Sequence, residues 1–242
     1  MASFAFCDQV SSRAHVAMSL LMNAPHRAPA VTQADALQAH LRQSTAGAHR
    51  ALDHHPLLAP LLRPGLDRAH YGRVLQAFHA IHGPLQARLL DGLLRWGGAS
   101  DYRPSDRVTW LKQDLAFLGL DGQQAMAALA TWRLAPVSSS AELIGELYVV
   151  EGSTLGGQVI ARLLGDSLGI TPETGGRFFH GHGECTGARW QAFWSMARRL
   201  VPESEYAACS QSAQRLFGAL HTALTLMAQG QGNAHLVQAP GA

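Results

Sequence analysis

Residues 141–165 read AELIGELYVVEGSTLGGQVIARLLG. The apolar positions recur at three- and four-residue steps, the spacing of a single helix. Yet Gly152, Gly156 and Gly157 fall within six residues of one another. Each interior glycine costs a helix about 1 kcal/mol against alanine, so the three together cost roughly 3 kcal/mol. Four-residue spacing puts Gly152 and Gly156 on one face, and Ser153 and Gly157 on the adjacent one. The result is a strip of bare backbone with two physical uses. A second helix packs very close to it, or a flat, bulky ligand lies against it. The pattern alone leaves both open, because GxxxG outside a membrane carries little weight.

Outward from that stretch, the chain stays helical. Asp35 to about His54 places Leu37, Leu41, Thr45, Ala48 and Leu52 on one apolar stripe. Pro56, Pro60 and Pro64 interrupt the next segment. Asp67 caps a helix to Trp96, which Pro84 kinks or divides. Residues 97–106 are a loop. Arg107 to Gly119 is a short helix, and Asp121 begins another of similar size. The glycine-bearing helix covers about 141–168. Residues 169–176 turn, and 177–187 are irregular. Thr186 to Leu200 is helical, with Trp190, Phe193, Trp194 and Ala197 on one side as core. Glu203 to Met227 is the last helix. Period-2 runs and Asn-Gly hairpins are missing from the pattern. The reading is a single all-α domain of roughly seven or eight helices, over 33–228. Residues 1–32 read as a mobile extension and 229–242 as a frayed tail.

Composition narrows the function classes. Of 242 residues, 47% are hydrophobic, enough for one substantial core. Nineteen basic and 17 acidic residues leave a formal charge of +2, with no basic stripe to suit nucleic acid. The apolar run Val16–Met22 is too short to span a membrane and lacks the order of a secretory signal. Cys7, Cys185 and Cys209 are widely spaced and form no CxxC, which suits a reducing cytoplasm.

His49 borders the buried stripe of its helix, one position after Ala48. Arg42 lies seven residues earlier on the same side. A histidine at the edge of a core is ordinarily structural. Paired with a same-side arginine, it can also grip one anionic ligand at two points, and a metal-bearing ring with carboxylates suits that arrangement.

Two motifs then carry a family resemblance. LRQSTAGAHRALDHHPLL, at 41–58, resembles the proximal helix of haem oxygenases, and LYVVEGSTLGGQVI, at 147–160, resembles their distal helix. FFHGHGECTGARWQAFW, at 178–194, resembles a segment of bacterial members, especially those accompanying bacteriophytochromes. The likeness covers roughly residues 35–228, with both motifs in the family's order and separation.

The resemblance implies haem b held between a proximal and a kinked distal helix. His49 would be the axial ligand of the haem iron, through a neutral imidazole nitrogen. Gly152, Ser153, Gly156 and Gly157 would form the distal catalytic wall, with Thr154 beside them. Bare backbone there would let the helix bend over a flat ring. Arg42 matches a basic family position and would meet a haem propionate; Arg177 and Arg189 are candidates for the second. Haem would be cofactor and substrate together. With O2 and electrons from a ferredoxin or a reductase, it would yield biliverdin, carbon monoxide and ferrous iron. A bacteriophytochrome is the implied acceptor of biliverdin. Mammalian members carry an aspartate where this chain has Ser153, so the proton path must run through another group.

Other readings need other residues. A di-iron oxidase of similar fold would need Glu-x-x-His pairs, and the nearest equivalent is Asp67-Arg-Ala-His70. A thiaminase-like enzyme would need a nucleophilic cysteine in a pocket. His180, His182 and Cys185 have metal-ligand character but no fourth ligand nearby. A haem carrier or sensor that never turns over would use the same His49.

Overall fold

The structure is a computed structural model that describes residues 33–99 and 102–237. Eight α-helices are found among them: α1 Gln33–Asp53, α2 Arg68–Trp96, α3 Arg107–Phe117, α4 Gln123–Ala128, α5 Ser140–Leu168, α6 Arg177–His180, α7 Thr186–Leu200 and α8 Tyr206–Val237. No strand occurs among the described residues. The first 32 residues, expected to form a mobile extension, lie outside them.

Three helix starts follow from side-chain caps. Asp67 accepts the His70 N–H at 2.6 Å, Asp106 that of Thr109 at 3.1 Å, and Ser139 that of Glu142 at 3.2 Å. Each satisfies a donor that the first turn leaves without a helical partner.

α5 runs through the centre, and its first half, from Leu143 to Gly152, is buried at every position. It crosses α8 closely because of Gly145. A Cβ there would stand 2.1 Å from the Cys209 carbonyl oxygen, so only glycine lets the two backbones approach. α1 lies parallel to α8. Along the pair His40 meets Ser210, Gln214 donates to the Ser44 carbonyl, and His55 meets Thr225. Leu37, Leu41 and Thr45 of α1 are buried, as the stripe requires, while Ala48 and Leu52 are half-buried. Phe193, Trp194 and Ala197 of α7 are fully buried, with Trp190 packed against that core.

Some boundaries differ from the sequence reading. α2 continues through Pro84 instead of dividing. Pro84 is exposed, while Ile81, Leu85 and Leu89 hold the opposite side in the core. α4 has only six residues, after which the chain runs without helix to Ser139. The expected turn at 169–176 contains a π-turn over 172–176, and Arg177–His180, expected to be irregular, form α6. Asp114 explains the order there: its two carboxylate oxygens accept the N–H groups of Arg177 and Phe178, both at 2.8 Å. The last helix passes Met227 and reaches Val237, through part of the segment expected to fray. Among the described residues, no helix is long and apolar enough to cross a membrane.

Candidate functional site

A cavity opens between α1, α2, α5, α6 and α8. Its walls include His49, Gly152, Ser153, Thr154, Gly156 and Gly157, so six of the residues expected at the site come together. Leucine, isoleucine and phenylalanine make up most of the remaining wall, including Leu52, Ile81, Leu85, Phe178, Phe179 and Leu220. Such a surface suits the faces of a large apolar ring.

His49 is held in one orientation. Its Nδ1 is 2.9 Å from Asp53 Oδ2, one turn further along α1. The carboxylate accepts from Nδ1–H, so the neutral ring keeps its lone pair on Nε2. The edge of Phe217, 5.9 Å between centroids, fixes the ring from α8. An apolar cavity with one oriented imidazole matches the donor chemistry of a haem iron. The residues present therefore fit that group.

The glycine strip divides between its two possible uses. At Gly157 a Cβ would stand 2.8 Å from the Phe179 carbonyl oxygen, so close packing on α6 requires this glycine. Gly152 and Gly156 line the cavity. Beside them Ser153 Oγ donates to the Val150 carbonyl at 2.7 Å, and Thr154 Oγ1 to that of Glu151 at 2.6 Å. Hydroxyls bonded back into their own helix tend to bend it.

Two further lining residues were not expected at the site from the sequence. Arg107 is buried, and its Nη2 donates to the Val150 carbonyl at 2.7 Å. Nη1 is 3.5 Å from Ser153 Oγ, and Nη2 is 3.5 Å from Glu151. A cation in the first turn of α3 opposes the helix dipole, and burial adds to that cost. Such an expense points to a role at the site. His82 is the second. Burial, then the charges of Arg107 and His79, hold its pKa down to about 3, so the ring is neutral. Only folding brings α2 and α3 to this wall.

The expected propionate partners separate. Arg42 is exposed and does not line the cavity, but its charge reaches Tyr148, which does. Arg177 is engaged elsewhere. It lies 4.7 Å over the Trp110 ring and donates to the Gly181 carbonyl. Arg189 donates to the Arg103 carbonyl. Neither lines the cavity, because α6 and the start of α7 turn these side chains to the α3 side.

The His180, His182 and Cys185 stretch does not converge. His182 Nε2 bonds Ser105 Oγ at 2.6 Å, and Cys185 is exposed. No group of three or more His, Cys, Asp or Glu able to hold a metal ion occurs among the described residues.

Comparison with known proteins agrees with this geometry. The haem oxygenase family model matches residues 35–225. A haem oxygenase from Xanthomonas campestris pv. campestris is 33% identical over 166 residues, covering 68% of this chain and 94% of that protein. Among solved structures, the NO- and CO-bound haem oxygenase from Neisseria meningitidis superposes with a TM-score of 0.59 at 22% identity, over 82% of this chain and 92% of that one. The haem oxygenase from Leptospira interrogans gives 0.60 at 19% identity, over 78% and 98%. A domain of unknown function with a haem oxygenase-like fold, from Shewanella denitrificans, gives 0.55 at 13%, over 85% and 96%. The structural likenesses speak for the fold. Together with the family match over most of the chain and the oriented His49, they show that the chain belongs to the haem oxygenase family.

Proposed function

We propose that the protein cleaves haem b to biliverdin, carbon monoxide and ferrous iron, using O2 and electrons from a ferredoxin or a reductase. The carrying observation is that His49, oriented by Asp53, lines the same apolar cavity as the glycine strip of α5. Haem, when bound, supplies both the iron that activates dioxygen and the ring that is oxidised.

The chain's own residues do the rest. His49 Nε2 would hold the iron, and the Asp53 carboxylate, accepting from Nδ1–H, fixes the ring's orientation. The leucine and phenylalanine walls exclude water from the ring faces. Gly152 and Gly156 would leave room for a bound ring and a small gas molecule, while Ser153 and Thr154 commit their hydroxyls to the helix. Arg107 places a positive charge at the wall where Ser153 stands. His82 stays neutral, so the wall has no strong acid to force early protonation. Arg42, whose charge reaches Tyr148, would supply a cation for a haem carboxylate. Delivery of biliverdin to a bacteriophytochrome belongs to this proposal through the resemblance of residues 178–194 alone.

The test is an absorption titration with hemin followed by reductant under air. A saturating one-to-one Soret band that decays as a biliverdin band grows is the expected result. His49→Ala should fold yet lose both signals. Haem binding without decay would make the protein a carrier or sensor, and no Soret shift would refute the haem assignment.

A further inference from the structure

Leu57, in the turn after α1, is held on both sides of its backbone by histidines. Its N–H donates to His55 Nδ1 at 3.1 Å, and its carbonyl oxygen is 2.9 Å from His70 Nε2. The partners fix both tautomers. A backbone N–H can only donate, so His55 Nδ1 carries no hydrogen, and Nε2–H donates to Thr225 Oγ1 of α8 at 3.2 Å. Thr225 donates its own hydrogen to the His221 carbonyl at 2.9 Å. Arg73 Nη2 can likewise only donate, at 3.0 Å to His70 Nδ1, so His70 Nε2–H donates to Leu57. The bonds alone make His55 a neutral ring in the folded protein, and it is 3% exposed.

The charged and titratable neighbours of this ring come from three helices. His221 of α8 stands edge-on to it, with 5.0 Å between centroids, and is exposed. On α1, Asp53 is turned to His49, and His54, next along the chain, bonds the Arg50 carbonyl. His70 and Arg73 of α2 lie beyond Leu57. No carboxylate bonds to His55 among the described residues. Burial, then the charge of His221, hold its pKa below the usual 6.5. The turn also adjoins the main cavity. Leu52 and Asp53, just before His55, and Leu58, just after Leu57, line that cavity. The His55 carbonyl accepts the N–H groups of Leu58 and Ala59, at 2.9 and 2.8 Å, so displacing His55 displaces this wall.

We propose that His55 is a proton-operated latch, which holds the Leu57 turn and the α1 side of the main cavity closed while neutral and releases both when protonated. Its effect on haem rests on the proposed function; the latch itself does not. A proton on Nδ1 takes the lone pair that the Leu57 N–H uses, so two hydrogens would face each other. The ring must then leave the turn, and as an imidazolium it gains hydration by doing so. The closed turn binds the neutral form, so closure is complete above pH 6.5 and is lost as pH falls below it. A ring that takes its proton only in the open turn, at the ordinary value, raises the open population about tenfold between pH 7.5 and pH 5.5.

The first test needs no haem. Amide hydrogen exchange of the apoprotein should show the Leu57 protection factor falling about tenfold from pH 7.5 to pH 5.5, in step with titration of the His55 ring followed by nitrogen NMR. Asparagine at this position can accept the same N–H through Oδ1, as an Asx-turn, and does not titrate. His55→Asn should therefore protect Leu57 equally at both pH values. Unchanged protection in the parent, or an equal fall in His55→Asn, overturns the latch. The second test follows transfer of haem from the loaded protein to apomyoglobin. Over the same pH interval the transfer rate should rise more in the parent than in His55→Asn, by about tenfold. Equal rises overturn the coupling of the latch to the cavity. A parent that binds no haem would instead refute the proposed function, leaving the latch to be judged by Leu57 exchange.

Discussion

Two glycines of α5, eight residues apart, should respond to alanine with opposite signs. At Gly157 the new Cβ would lie 2.8 Å from the Phe179 carbonyl oxygen, a backbone atom that cannot swing aside. At Gly165 the nearest atom, the Ile170 carbonyl oxygen, is 3.7 Å away, an ordinary contact. In both places alanine gains about 1 kcal/mol of helix propensity. Overpacking costs about 1–3 kcal/mol, and it applies only at Gly157. Because the atom met at Gly157 is backbone, the cost there falls in the upper part of that range, so Gly157→Ala should lose about 1–2 kcal/mol net, while Gly165→Ala should gain about 0.5–1 kcal/mol. For a domain of this size 1 kcal/mol moves Tm by about 2–4 °C. Thermal denaturation of the apoprotein, followed by circular dichroism, should show Gly157→Ala melting below the parent and Gly165→Ala above it. A Gly157→Ala protein as stable as the parent would refute the close-packing account and return this glycine to a purely ligand-facing role.

On the proposed function, Asp53→Ala should weaken haem binding about 10–100-fold, because the carboxylate orients the imidazole that would hold the iron; a Soret titration and the iron–histidine stretching frequency both report it. Breaking the pair of half-buried Arg88 with buried Glu146 should cost about 3 kcal/mol in Arg88→Ala, and Arg88→Met with Glu146→Leu should recover most of it. Urea denaturation of the single and double variants measures this. Stability should also fall in acid through His82. Its folded pKa, about 3, lies below the usual 6.5, so the unfolded chain binds the extra proton between those values. That contribution is complete above pH 6.5 and is lost as pH drops toward 3, amounting to about 3 kcal/mol at pH 4. Urea midpoints at pH 7 and pH 4 should drop less for His82→Phe than for the parent. An equal drop would show that His82 is not buried as described.

The sequence by itself determined much of this protein. Helical periodicity and capping residues marked most helices, because those signals depend on neighbours within one turn. His49 on its apolar stripe and the glycines of α5 were legible for the same reason, and Asp53, four residues after His49, lies within that local range too. Tertiary structure decided what depends on distant segments. It assigned Gly157 to packing, since the atom it must avoid, the Phe179 carbonyl, is 22 positions away in sequence. It drew Arg107 and His82 to the cavity wall although nothing near them in sequence suggests a site. It also turned Arg177 and Arg189 toward the Trp110 ring and the Arg103 carbonyl. A charge on a short helix can be read from composition. Which way it points depends on how α3, α5 and α6 pack, and that is fixed only when the whole core closes.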